Sequence, residues 1–328
     1  MTALDFPGAP GVPERPAGSV VTVGTFDGVH RGHWAVLQET RRWAEADGRR
    51  SVLATFHPHP LRIVRPEAAP PLLTTPEEKE EILAESGIDY AVFLPFTPDL
   101  SRYTPERFVD EILIGRLHMR RLVIGYDHGF GRGRSGDVDT LRRIGQQRGF
   151  EVHVVPAIMM GGEPVSSSRI RHALEEGDVA AAAEGLGRPY SLRAPVVRGD
   201  GRGRELGFAT ANLAVAAAEK LLPRPGIYAV RALVRRRERE GVLHLGPRPT
   251  FSGAAPTVEL HLFDFAEDIY GDELRIEFCA WIREIHRFGS AAELIEAMGA
   301  DCEAARAALA AGTGACRGSE ARLQSRAT

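Results

Sequence analysis

An apolar, β-branched run, Val20-Val-Thr-Val23, stops at a glycine, passes through the polar loop Gly24-Thr-Phe-Asp-Gly-Val-His30 and opens a segment, Trp34 to Trp43, whose apolar residues recur at helical spacing. That order dictates a strand, a tight turn and a helix N-terminus. Gly24 and Gly28 allow backbone angles that other residues resist, and Gly32 leaves room for a ligand at the first helical turn. Unpaired N–H groups and the positive end of the helix dipole favour phosphate there. His30 and His33, three residues apart at the helix start, can share one face and point at the same oxygens. Two other readings of the pair stay open, exposed turn residues and zinc ligands, although no nearby Cys-x-x-Cys or third ligand completes a tetrahedral set.

Four more apolar strands follow in the first half, Ser51 to Phe56, Asp89 to Phe96, Arg121 to Gly125 and Phe150 to Val155, alternating with helical segments. Thr75-Pro-Glu-Glu78 reads as a capping box and Thr104-Pro-Glu106 as a second helix start. Five strands with intervening helices predict a parallel sheet covered on both faces, with ligands at the carboxyl ends of the strands. The loops at His30, His57 and Asp127 all fall at those ends. The glycine-rich run Asp127 to Gly136 is costly to order unless it binds something. Ser166-Ser-Ser168 leads into another helix, as simple caps or, with Arg171 on the first turn, as a phosphate contact.

From about Tyr190 the pattern shortens to β-rich runs, Leu192 to Val197, Gly226 to Leu233, Gly241 to Leu245, Thr257 to Phe263 and Glu273 to Phe278. Regular turn signals between them predict a small antiparallel barrel, and Ser290 caps an alanine-rich helix to about Ala310. The run Arg235 to Glu240 reads as a solvated hairpin tip. In Gly199-Asp-Gly-Arg-Gly-Arg-Glu-Leu-Gly-Phe-Ala-Thr-Ala-Asn212 the glycines can wrap phosphates, while Thr210 and Asn212 alternate onto one side and offer hard oxygen ligands for Mg²⁺. Glu259 lies amid apolar strand residues, where an unpaired carboxylate is costly.

With 328 residues the chain can hold two domains, and 41 basic against 44 acidic residues, net −3, give no electrostatic case for nucleic acid. There is no apolar run of transmembrane length and no signal-peptide pattern, so a soluble cytoplasmic protein, with no membrane partner, is expected. Cys279, Cys302 and Cys316 are widely spaced and odd in number, which argues against a disulfide framework or metal cluster. Homo-oligomerisation is left open. The expected organisation is a flexible segment at 1–18, an α/β domain at 19–186, a barrel domain at 187–312 and a flexible tail at 313–328.

Gly-Thr-Phe-Asp-Gly-Val-His-Arg-Gly-His33 resembles the His-x-Gly-His motif of the nucleotidyltransferase superfamily, and its longer form resembles the bacterial bifunctional riboflavin kinase/FMN adenylyltransferases. The resemblance covers roughly Ser19 to Ala310. It implies a Rossmann-like adenylyltransferase domain making FAD from FMN and ATP, followed by a barrel that phosphorylates riboflavin to FMN with ATP and Mg²⁺. Carried over by position, it assigns His30 and His33 to catalysis and Gly24, Phe26, Asp27, Gly28, Gly32, Ser167, Ser168 and Arg171 to nucleotide and phosphate. His57, Pro58, Asp127, Phe130 and Arg283 fall to the flavin. In the barrel Gly201, Gly203 and Gly207 fall to phosphate, Thr210 and Asn212 to Mg²⁺, and Glu259 to the catalytic base. Ala209 stands where the motif has proline, and His244 with Pro247 alters the usual Asn-Ile-Gly-x-Arg-Pro, with loop rigidity and substrate affinity the expected cost. Two other functions are weighed against this one, a single-function nucleotidyltransferase with an inert barrel and a non-catalytic flavin or nucleotide sensor.

Overall fold

The computed structural model of the chain describes residues 1–5, 17–131, 133, 135–199, 208–215, 219–246 and 257–312. They form two compact units, Met1–Ser167 and Ser168–Thr328.

The first unit is built on a parallel sheet of six strands, β1 (Thr2–Asp5), β2 (Ser19–Val23), β3 (Arg50–His57), β4 (Tyr90–Pro95), β5 (Met119–Gly125) and β6 (Glu151–Val155), in the order β1-β4-β3-β2-β5-β6. Five are the expected strands. The sixth, β1, lies within the segment expected to be flexible and pairs along β4 from Thr2 with Tyr90 to Asp5 with Phe93. What orders it is the row of backbone donors and acceptors on the edge of β4, which no local composition signals. β2 is buried at every position, as a central parallel strand covered on both faces must be. Val21 and Val23 join Phe108, Leu113, Leu141 and Ile144 in one core cluster, while Val20 joins Val36, Leu37, Ile82 and Leu83 in another.

The covering helices are α1 (Arg31–Ala46), α2 (Pro60–Val64), α3 (Pro76–Ala84), α4 (Pro105–Phe108) and α5 (Val138–Arg148). Thr75 caps α3 and Glu78 returns the bond, the capping box expected from sequence. The helix expected from Thr104 toward Leu117 widens after α4 into a π-helical stretch, Val109–Ile114. Gly161 and Gly162, both at positive φ, turn a small hairpin between β7 (Met159–Met160) and β8 (Glu163–Pro164). The chain runs from β2 outward through β3 and β4, then returns to the other side of β2 for β5. This reversal opens a crevice at the carboxyl ends of β2 and β5, the place where open α/β sheets bind ligands.

The second unit contains a closed barrel of β9 (Tyr190–Val197), β10 (Ala211–Leu213), β11 (Gly226–Val234), β12 (Arg237–Gly246), β13 (Thr257–Leu262) and β14 (Glu273–Arg283), ordered β10-β13-β12-β11-β14-β9. Before it come α6 (Ser167–Glu175), which spans the division, and α7 (Val179–Leu186). Compactness divides the chain within α6, ahead of the boundary expected after residue 186. α7 lies against β9 and β14, and the indole of Trp281 sits so close to Gly177 that a Cβ there would come within 2.8 Å of it. Inside the barrel Leu213, Val258, Leu260, Leu243, Tyr228, Val230, Ile276 and Leu192 are buried. Outside it, Ile227, Ala229 and Val242 are covered by Ala305 and Leu309 of α8 (Ala291–Ala311), which Ser290 caps. The turn of the basic hairpin is only Arg235 and Arg236, both at positive φ, and Arg237 already belongs to β12.

Candidate active sites

The loop between β2 and α1 holds its shape through backbone that resists relaxation. Phe26, Gly28 and Val29 all have positive φ, 47°, 80° and 41°, a region unfavourable for the two side-chain-bearing residues and costing them on the order of 1–3 kcal/mol each. The tie that holds them runs through Asp27, only 2% exposed. Its carboxylate accepts from the backbone N–H of Leu73 at 3.0 Å and of Thr74 at 3.2 Å, while the Gly28 N–H donates to the Thr74 hydroxyl at 3.2 Å. From the other side, buried Lys79 of α3 donates to the Thr25 carbonyl at 2.8 Å. Burial holds the Lys79 ammonium below its ordinary range, opposed by the nearby Asp27 charge. Asp27 therefore shapes the loop from beneath.

His30 and His33 form a reciprocal cap. The His33 N–H donates to His30 Nδ1 and the His30 N–H to His33 Nδ1, each at 3.3 Å. The rings stack at 3.6 Å and 16°. With both Nδ1 atoms accepting, hydrogen bonding assigns the proton of each ring to Nε2, so two N–H donors stand on the ring edges turned from the helix backbone. Phe26 packs on His33 at 4.8 Å, and a Cβ on Gly24 would come within 3.1 Å of the Phe26 ring. Gly32 gives the histidines room, since a Cβ there would stand 3.1 Å from the His30 ring. The Ser167 hydroxyl donates to the Asp27 carbonyl at 2.9 Å, joining this loop to the first residue of α6, in which Ser168 follows directly and Arg171 comes one turn on.

The residues expected to meet flavin are dispersed in role. His57 ends β3, exposed, and is followed by a cis bond to Pro58. Asp127 follows β5, its carboxylate over Gly125. Phe130 is 8% exposed and packs, tilted, against Phe108 at 5.0 Å in the sheet core cluster. Arg283 makes a two-pronged ion pair with buried Asp301 of α8, both contacts 2.7 Å, which anchors that helix to β14. Arg132, Arg134, Gly201, Gly203 and Gly207 lie outside the described residues.

On the barrel, strand register does the assembling. β10 sets Asn212 opposite Glu259 of β13, β12 sets His244 opposite Glu259 on its other side, and Ile227 of β11 lies between His244 and Arg283. The expectation of Glu259 amid apolar side chains needs correcting. Val258 and Leu260 beside it point into the barrel, whereas Glu259 stands half-exposed on the outer wall, facing Asn212 and His244. Two residues on, His261 Nδ1 lies 2.9 Å from the Ala209 carbonyl, a tether for the segment that carries Thr210 and lacks the motif proline. Sequence reasoning missed Lys79, the Leu73–Thr74 tether, His261 and Asp301. Each acts across a distance in the chain that local pattern does not report.

Among the described residues no group of three or more His, Cys, Asp or Glu stands together as a metal site, and no helix is long and apolar enough to cross a membrane. An α/β domain whose switch-point loop carries His-x-Gly-His, joined to a barrel with Asn212 and Glu259 in cross-strand register, defines a nucleotidyltransferase coupled to a kinase-type barrel. The FAD synthetase family matches residues 12–169 and the riboflavin kinase family residues 186–309. The chain is 36% identical over 278 residues to the bifunctional riboflavin kinase/FMN adenylyltransferase of Escherichia coli K12, spanning 84% of this chain and 88% of that one. It is 37% identical to the enzyme of the same description from Pseudomonas fluorescens, spanning 89% and 94%. It therefore belongs to the bifunctional riboflavin kinase/FMN adenylyltransferase family. A crystal structure titled macrolide-efflux protein from Streptococcus pneumoniae has the same fold over 93% of this chain and 99% of its own, with TM-score 0.83 and 28% identity.

Proposed function

We propose that the barrel phosphorylates riboflavin to FMN and that the α/β domain adenylylates FMN to FAD, releasing pyrophosphate. The observation carrying this reading is the Asn212–Glu259 register pair on the barrel wall. It gives the second domain a chemistry of its own and sets aside an inert appendage or a sensor without chemistry.

In the kinase step Glu259 takes the proton of the riboflavin 5′-hydroxyl as that oxygen attacks the γ-phosphorus and the bond to the β-bridging oxygen breaks. Thr210 and Asn212 offer only oxygen donors of the hard type, which fits magnesium. The ion arriving with ATP would be held there and would supply charge neutralisation on the phosphates. In the adenylyl step the FMN phosphate is already an anion, so no strong base is needed. The Nε2–H groups of His30 and His33 and the N-terminus of α1 stabilise the charge that builds on the α-phosphoryl group and pyrophosphate. Ser167 positions the loop through Asp27, and Asp127 lines the crevice where flavin is held. Incubation of the full chain with riboflavin and MgATP, with FMN and FAD separated by chromatography, tests the whole reading. Both products are expected in sequence, and absence of either removes the corresponding half.

A further inference from the structure

Besides Glu259, the outer face of β13 carries His261, which the proposed chemistry leaves unused. Its Nδ1 lies 2.9 Å from the carbonyl oxygen of Ala209, the residue before Thr210. A carbonyl only accepts, so Nδ1 carries the proton and donates. Edge-to-face contacts with Phe208, centroids 5.4 Å apart, and with Phe263, at 6.1 Å, hold the ring at that carbonyl. Asn212 is placed by the ladder itself, opposite Glu259, and Gly199 leaves the room its carboxamide occupies, since a Cβ there would come within 1.9 Å of the amide nitrogen. Thr210 stands just before the first pair of that ladder, Ala211 with Leu260, in front of a strand only three residues long. A proline at 209 would fix φ there, and the alanine of this chain does not.

From these contacts we infer that His261 is a positioning residue for the kinase step: by holding the Ala209 carbonyl, its Nδ1–H sets the peptide from which the Thr210 hydroxyl is presented to the magnesium arriving with ATP. The inference rests on Thr210 and Asn212 holding that ion, as proposed above. In a planar trans peptide the carbonyl of residue 209 and the N–H of residue 210 point in opposite directions, so one hydrogen bond orients the whole unit. Threonine branches at Cβ and has few rotamers, so its hydroxyl follows the backbone closely. A displacement of about 1 Å in such a group is enough to slow a reaction that depends on alignment. The same strand thus supplies the proposed base at 259 and, two residues on, the brace for a metal ligand. The brace has a definite reach. Asparagine carries its amide nitrogen as far along the side chain as Nδ1, whereas that of glutamine lies one carbon further out.

The test compares the full chain with its His261→Leu, His261→Asn, His261→Gln and Thr210→Val variants, each checked by thermal melting. Amide hydrogen exchange over residues 208–213, followed without nucleotide or metal, should be about two- to tenfold faster in His261→Leu, the worth of one hydrogen bond between neutral groups. In riboflavin phosphorylation the same variant should need several-fold more Mg²⁺ for half-maximal rate and lose about two- to tenfold in kcat, with KM for riboflavin nearly unchanged. FMN supplied directly should still become FAD at the parental rate. His261→Asn should recover most of both losses, and His261→Gln should not. Parental exchange and kinetics in His261→Leu overturn the inference, as does a rise in KM for riboflavin alone, or equal behaviour of the two carboxamides. Should His261→Leu not fold, the carboxamide pair decides by the same criterion. A parental rate and Mg²⁺ requirement in Thr210→Val removes the metal ligand and the inference with it, whereas an impaired Thr210→Val beside a parental His261→Leu removes His261 alone.

Discussion

Between Val23 and Arg31 the α/β domain leaves regular structure and holds His30 and His33 by positive-φ backbone, a buried carboxylate, a buried lysine and a pair of mutual caps. The barrel keeps Asn212, Glu259 and His244 on three neighbouring strands whose ladder is unbroken at each of them. The first arrangement depends on many long-range ties, so its precision is spread over residues distant from one another in the chain. The second depends on register, in which a slip of one residue would turn every functional group into the interior. Failure should therefore look different in the two places, graded in the loop and abrupt on the wall.

The largest effect expected is at Glu259. Exchange for glutamine keeps size and hydrogen bonding but removes basicity, a loss of about 10² to 10⁴ in riboflavin phosphorylation. FMN supplied directly should still become FAD at the parental rate. Simultaneous loss of both activities would mean that the two regions are not independent. Next in size, His33→Ala removes the donor proposed to face phosphate and one half of the reciprocal cap. FAD formation should fall about 100-fold, with FMN accumulating from riboflavin, and near-parental FAD output would exclude the ring from the reaction.

Asp27→Asn probes the ties beneath the loop. Weakening hydrogen bonds from two backbone N–H groups to a buried carboxylate should cost about 1.5–3 kcal/mol, visible as a lower denaturant midpoint, with FAD formation reduced and riboflavin phosphorylation intact. An unchanged midpoint would show that the strained loop holds itself. The smallest effect is on the barrel's response to pH. His244 has a folded pKa below its ordinary value of 6.5, so the unfolded chain binds a proton that the folded chain refuses. Its contribution is present above pH 6.5 and is lost as pH falls through the lowered folded value. Equilibrium unfolding followed from pH 7 downward should show a shallower loss of stability in His244→Asn than in the parent, and parallel curves would remove the imidazole from the balance.

How much of this is legible in the chain follows from the range of the forces involved. Val20 to Val23, Thr75 with Glu78, and Ser290 with Glu293 are local patterns, and each produced the expected strand or cap. β1 is not legible, because four residues gain order only from the edge of a strand some ninety residues away, a separation set by the Thr2–Tyr90 pairing. Glu259 is legible as a carboxylate on a strand but not as an outward one, since alternation says that neighbours oppose it without saying which side is the core. His30 and His33 were legible as a pair on one helix start. That they cap each other, and so present Nε2–H, depends on ring rotations that spacing does not specify.

The closed barrel has a consequence for how this protein tolerates change. Along β13 the positions alternate between Val258, Leu260 and Leu262, which fill the interior, and Thr257, Glu259 and His261, which face outward. Two selective pressures are thereby interleaved at single-residue spacing without sharing a side chain. A scan of every substitution along this strand should produce two interlocking ladders of sensitivity, one read in abundance and the other in turnover. The interior can drift through volume-conserving hydrophobic exchanges while the wall retains its chemistry.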